Sequence, residues 1–341
     1  MNVHDYAVVV GISRYPNAPL EDLHGPEHDA LGFRQWLVSP TGGDLPDDGQ
    51  HVYTVLSSSF PNNVDPLRQG PLNSDIDFAF DKIVLALQDQ PPETRRRIYI
   101  FFAGHGIAPR TGITMETDLD ESAILMANAG ERRWGYNIAG RLYAESFRAT
   151  AMFKEIVLIM DCCRDNLPSA STPPPPWDTG QVLDAGEVKR FYAFATRWSR
   201  KSRERQFGPN AEYEGVFSHS ILTALNSGRL TSTQLKDFVI NDMAKNLKAV
   251  QRPDFPLPDE GIIFSEGAAP PQFPVKLTFT PAYHGKEIEI VDGKFRKIDK
   301  FQATNVPWER PLPVGMYRVR YDANKEPLEL DVLGGPRDVQ F

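Results

Sequence analysis

The chain has 341 residues, 41% hydrophobic and 24% charged, enough for one large globular domain plus a small one and unlike a disordered or fibrous sequence. A formal net charge of −8 argues against generic nucleic-acid binding and is compatible with basic substrates. The N-terminus has no basic region leading into an apolar stretch and no window approaches 18 uninterrupted apolar residues, so a cytoplasmic protein off the membrane is expected.

In chain order, residues 6–12 form a buried first strand, and 27–37 have helical spacing behind Pro26. Residues 52–56 read as a second strand, and 74–88 as a helix between a serine cap and Pro91-Pro92. The run Ile98-Tyr99-Ile100-Phe101-Phe102-Ala103 leads into Gly104-His105-Gly106. After a polar stretch with Gly112 and Gly130 and a helix near 138–150, a second run, 155–160, leads into Asp161-Cys162-Cys163. Such unbroken apolar runs suit strands covered by helices on both faces, and their alternation with helices predicts an α/β fold around a mainly parallel sheet.

The segment 164–187 holds four consecutive prolines, 173–176, and is expected to be an exposed loop. A strand at 190–195 precedes a basic run, 197–205, with five basic residues against one acid. That run reads as a solvated loop, a self-cleavage site or an exosite for acidic partners. Helices at 216–225 and 232–247 and a last strand at 261–264 complete a domain spanning 1–266. Residues 267–271 read as a linker. Short strands at 275–280, 287–291, 315–321 and 327–332 predict a small all-β, sandwich-like domain over 272–341.

His105 and Cys163 fall beyond the carboxyl ends of two central strands, where open parallel sheets bind ligands. A thiol beside an imidazole suits nucleophilic catalysis, and a strand-end loop frees backbone N–H groups to hold an oxyanion. The two cysteines are adjacent, which leaves neither a disulfide framework nor a cysteine zinc site. Alternation along a strand sends them to opposite faces, so only one can meet His105. The bland alternative is an inert buried thiol and a histidine bonded to backbone.

These segments resemble the caspase and metacaspase peptidases, family C14 of clan CD. Gly104-His105-Gly106 matches the histidine motif, and Asp161-Cys162-Cys163 resembles the metacaspase Asp-Ser-Cys. Residues 6–13, 23–29 and Gly215-Val216-Phe217-Ser218 resemble the first strand, the Leu-x-Gly-Cys-x-Asn-Asp segment and the start of the small-subunit helix. The resemblance implies Cys163 as nucleophile, His105 as its proton acceptor, and backbone N–H groups of Gly106 and Cys163 around the oxyanion. It also implies a pocket in which Asp29 and Asp161 receive the Arg or Lys before the scissile bond. Ala103 stands where many metacaspases have serine.

The expectation is a cysteine endopeptidase acting on proteins with exposed Arg or Lys sites, with no cofactor, no metal, no nucleic acid and no membrane. Asp118, Asp120 and Glu121 lie where calcium-dependent metacaspases carry acidic ligands, so regulatory calcium is open, although a solvated loop is the better reading. His24 and His28 have ligand spacing, but Pro26 between them argues against a metal site. Bacterial relatives occur in defence and stress responses, often behind an upstream activator. The rivals are a catalytically silent caspase-like scaffold and a non-proteolytic thiol hydrolase or acyltransferase.

Overall fold

The computed structural model describes residues 1–341 except 18, 89, 92, 93, 111–120, 178–184, 198, 199, 258–260, 294, 322–326, 334 and 335. Through residue 265 the elements are β1 (Asp5–Gly11), α1 (Pro26–Val38), β2 (Val52–Leu56), α2 (Asn73–Leu87), β3 (Arg97–Ala103), β4 (Gly106–Arg110), β5 (Ala123–Leu125) and β6 (Asn137–Ala139). They continue with α3 (Gly140–Ala149), β7 (Glu155–Asp161), β8 (Asp165–Ser171), β9 (Lys189–Phe194), β10 (Glu204–Gln206), β11 (Tyr213–Gly215), α4 (Val216–Ser227), β12 (Leu230–Thr231), α5 (Ser232–Asn241) and β13 (Ile263–Phe264).

The main sheet has the order β2-β1-β3-β7-β9, and every neighbouring pair is parallel. Period-2 alternation divides its apolar residues between two faces. Tyr6, Val8, Ile100 and Phe102 join the cluster with Ile76 and Phe80 of α2 and Phe147 of α3. Ala7, Val9, Tyr99 and Phe101 join the other cluster, with Phe33 of α1, Ile221 of α4 and Leu235 of α5. Phe33 stacks on Phe101 with ring centroids 4.7 Å apart.

Charge closes the amino ends of the strands. The buried Arg97 guanidinium bonds Glu155 at 2.5 Å and the Tyr99 hydroxyl at 2.6 Å, and Arg96 pairs with both Asp5 and Glu266. A buried cation is tolerated only with such partners.

The Pro-rich stretch is not loop throughout. Residues 165–171 form β8, which pairs parallel with β4 at the edge of a sheet ordered β6-β5-β4-β8. An edge strand has one side without ladder partners, so proline is admissible there. This sheet was not expected, because its short strands are specified by partners distant in sequence. The helix expected over 232–247 ends as α5 at Asn241 and continues as a π-helical turn, Asp242–Asn246. The strand expected at 261–264 is the two-residue β13, antiparallel to β12 and outside the main sheet.

Beyond residue 271 come β14 (Gln272–Thr278), β15 (Glu287–Asp292), β16 (Lys297–Gln302), β17 (Trp308–Pro313), β18 (Gly315–Arg320), β19 (Leu328–Val332) and β20 (Arg337–Gln340). Of these β16, β17 and β20 were not expected. They form sheets β17-β14-β20 and β16-β15-β18-β19, with a shared apolar cluster that includes Val275, Ile290, Val319 and Val332. The β14–β20 pairing is parallel, so this region is not purely antiparallel. The 267–271 segment is docked rather than free, since Arg229 N–H donates to Ala269 C=O and Val314 N–H to Pro271 C=O.

Among the described residues, no helix is long and apolar enough to cross a membrane.

Candidate active site

The sheet register brings the two motifs together. Ala103 at the end of β3 pairs with Asp161 at the end of β7, so His105 and Cys163, each two residues further on, leave adjacent strands side by side. Both line a cavity of about 100 Å³ with Asp29, Asp161, Ser202 and Glu204.

The His105 backbone N–H donates to the Tyr15 hydroxyl at 2.9 Å, and the Tyr15 ring meets the imidazole edge-on at 4.8 Å. His105 Nε2 lies 2.8 Å from the Glu21 carbonyl. A carbonyl only accepts, so the proton sits on Nε2 and Nδ1 keeps its lone pair. Burial pulls the imidazole below its ordinary value, although the Glu21 bond opposes that. The Cys163 thiol is pushed up by burial to about 11, with the Ser202 carbonyl 3.8 Å from Sγ. Burial thus disfavours a thiolate–imidazolium ion pair at rest.

The adjacent cysteines do face opposite ways. Cys162 is 1% exposed, belongs to the apolar cluster with Met160, and has Sγ 3.3 Å from Ser122 Oγ. Its thiol is pushed up to about 12 by burial. Gly106, the first residue of β4, packs tightly there, since a Cβ at that position would lie 2.6 Å from both Cys162 Cβ and the Cys163 carbonyl oxygen.

Asp29 comes from α1 and Asp161 from β7, and both are buried. Asp161 Oδ1 accepts from Ser202 Oγ at 2.6 Å, while Oδ2 accepts from Ser218 N–H at 3.0 Å and Ser218 Oγ at 2.8 Å. Both Asp29 oxygens accept from Gly215 N–H, at 3.1 and 2.9 Å. The carboxylates converge on Gly215, where a Cβ would lie 2.1 Å from Asp161 Oδ2 and 2.8 Å from Asp29 Oδ2. Burial, and then the neighbouring Asp161, hold Asp29 well above the usual carboxylate range, and burial also raises Asp161. A third carboxylate, Glu204, accepts from the backbone N–H groups of His24 and Gly25.

Tyr15, Ser202, Ser218, Glu204 and Gly215 were not assigned to the site from sequence. Glu204 carried a signal, as the lone acid in the basic run. The basic side chains of that run are exposed, as a solvated loop requires, but Ser202 and Glu204 are half-buried and, with Arg203, line the cavity. Asp118 and Asp120 lie outside the described residues, but Glu121 is buried, and its Oε1 accepts from Ser122 N–H. The His24 ring packs 5.2 Å from that of Tyr213. Among the described residues, the carboxylates and histidines close enough to share a metal are His28, Asp29 and Glu214, and Glu214 already pairs with His219 at 2.7 Å.

The family profile described as Caspase domain matches residues 4–257. The chain belongs to the caspase-domain peptidase family. A relative named "Probable protease", from a Desulfuromonadales bacterium, is 28% identical over 169 residues. The match spans 49% of this caspase-domain chain and only 19% of that relative's length. Among solved structures, protein GSU0716 from Geobacter sulfurreducens is 13% identical with a TM-score of 0.46, over 75% of this chain and 95% of that one. Caspase-1 from Spodoptera frugiperda is 12% identical with a TM-score of 0.44, over 74% of this chain and 86% of that one. Membership of a caspase-domain peptidase family supports a protease function.

Proposed function

We propose that the protein is a cysteine endopeptidase that cleaves polypeptides after Arg or Lys. The observation that carries this reading is two buried carboxylates, Asp29 and Asp161, converging at Gly215 in the cavity that also holds His105 and Cys163. Carboxylates raised by burial, and in Asp29 also by the neighbouring Asp161, are stabilised by an entering cation, and a guanidinium donates paired N–H groups to both. Glu204 adds to the negative field.

With Arg or Lys seated, Cys163 Sγ attacks the carbonyl carbon at its C-terminal side, and His105 Nδ1 takes the thiol proton as the C–S bond forms. Backbone N–H groups of Gly106 and Cys163 hold the oxyanion. His105 returns the proton to the leaving amine as the C–N bond breaks, and water then hydrolyses the thioester with His105 again as base. No metal or cofactor takes part in these steps. Protein substrates with exposed Arg or Lys, an upstream activator and a place in bacterial defence or stress signalling belong to the same proposal and rest on the family resemblance.

The test is a panel of fluorogenic peptides carrying Arg, Lys, Asp or Leu before the bond, with matched esters, with and without calcium. Turnover of Arg and Lys peptides that Cys163→Ala abolishes is expected. A preference for Asp would overturn the pocket assignment, ester turnover alone would point to a non-proteolytic thiol hydrolase, and no turnover would favour the silent scaffold.

A further inference from the structure

Beside the active-site cavity lies a larger one of about 550 Å³, lined by Arg197, Arg200, Lys201, Arg203 and Arg252 with Asp165 on its wall. The two cavities share only Arg203. Among the described residues none of these five basic side chains is ion-paired, whereas Arg96, Arg97 and Arg164 all are. Five like charges around one concave volume, in a chain of net charge −8, are an unusual concentration. Positive charge held this way repels itself and attracts a multivalent anion.

We propose that this cavity binds a small oligophosphate-type anion, and that occupancy fixes the 200–204 wall of the active site. Four of the five cations are arginines, whose planar forks match phosphate oxygens in pairs. The volume falls within the range of roughly 300–1,000 Å³ usual for small-molecule sites. An extended acidic peptide brings its charges to one face only about every second residue, roughly 6–7 Å apart, and so matches clustered guanidiniums less well than consecutive phosphates do.

The link to the active site is direct. Lys201 lines the basic cavity and its neighbour Ser202 lines the other. Gln251, also on the basic cavity, donates to the Ala195 carbonyl at 3.3 Å and to Ser202 Oγ at 3.4 Å. Ser202 Oγ in turn donates to Asp161, and its carbonyl faces Cys163 Sγ. An anion drawing Arg200, Lys201 and Arg252 together therefore restrains the residues that hold Asp161 and border the thiol. The binding site stands independently of the proposed protease function, and only its regulatory effect rests on that reading.

The test is calorimetric titration of the full chain with sodium tripolyphosphate at physiological salt, with ATP and hexaglutamate as separate arms, alongside peptide turnover. Saturable one-to-one binding of tripolyphosphate or ATP is expected, the arms separating a free oligophosphate from a nucleotide. Arg200→Ala/Arg252→Ala should weaken it by about tenfold to a hundredfold per guanidinium lost, with Arg200→Lys/Arg252→Lys in between. A melting temperature that rises with tripolyphosphate in wild type but not in the alanine variant gives an independent readout. Absence of saturable binding, equal binding by the alanine variant, or tighter binding of hexaglutamate would each overturn the site. Binding with unchanged peptide turnover overturns the regulatory half, and the titration reads the site even if no peptide is cleaved.

Discussion

Gly215→Ala tests the geometry of the pocket most directly. Gly215 has φ −60° and ψ 130°, a conformation open to any L-residue, so alanine there adds no backbone strain. What it adds is a methyl 2.1 Å from Asp161 Oδ2 and 2.8 Å from Asp29 Oδ2, against an ordinary contact of roughly 3.5 Å. Asp161 cannot step aside freely, because one Ser202 bond and two Ser218 bonds tether it. A displacement of about 1 Å follows, and a misplacement of that size typically costs about a hundredfold in rate. The expected result is a kcat/KM for Arg peptides reduced by about a hundredfold, with stability lowered by about 1–3 kcal/mol from overpacking. Gly135→Ala, whose methyl meets nothing closer than 3.9 Å, is the silent control. The assay pairs fluorogenic Arg-peptide kinetics with thermal melting. Wild-type kcat/KM in a folded Gly215→Ala protein would refute the claim that the two carboxylates at this point receive the substrate.

Cys163→Ala should abolish cleavage while Cys162→Ala keeps most of it and lowers the melting temperature, because Cys162 fills apolar core beside Ser122; the reverse pattern in peptide assays would show the wrong sulfur was chosen. Asp29→Asn should suppress Arg-peptide turnover yet stabilise the fold at pH 7 by on the order of 1 kcal/mol, since it removes a group whose ionised form burial and Asp161 both disfavour. Asp29 is raised in the folded state, so its stabilising share is present in full below pH 3.8 and is lost as pH rises through the folded value. The advantage of Asp29→Asn in urea titrations should therefore be absent near pH 3.5 and grow with pH, and a constant difference would contradict the assignment. Arg97→Ala leaves the Glu155 carboxylate and the Tyr99 hydroxyl without their buried partner and should cost about 3–5 kcal/mol, measured by urea unfolding, with a loss under about 1 kcal/mol counting against that network.

The sequence by itself determined the centre of the main sheet, because β1, β3 and β7 are written as short apolar runs rich in β-branched and aromatic residues, too short for helices that cross the core. It also placed His105 and Cys163 at the carboxyl ends of two of those runs, and strand alternation alone sends the two cysteines to opposite faces. Tertiary structure decided what surrounds them. Strand β8 forms in a Pro-rich segment, and β16, β17 and β20 form without a strong local pattern, since short strands depend on partners supplied from elsewhere. Tyr15, the Ser202–Glu204 stretch and Gly215 reach the site from three separate segments, and no period along the chain reports that they meet. Whether a charged run lies in solvent or lines a cavity is likewise a property of packing. Local propensity acts over a few residues, whereas the convergence of Asp29 on Asp161 depends on contacts across more than a hundred.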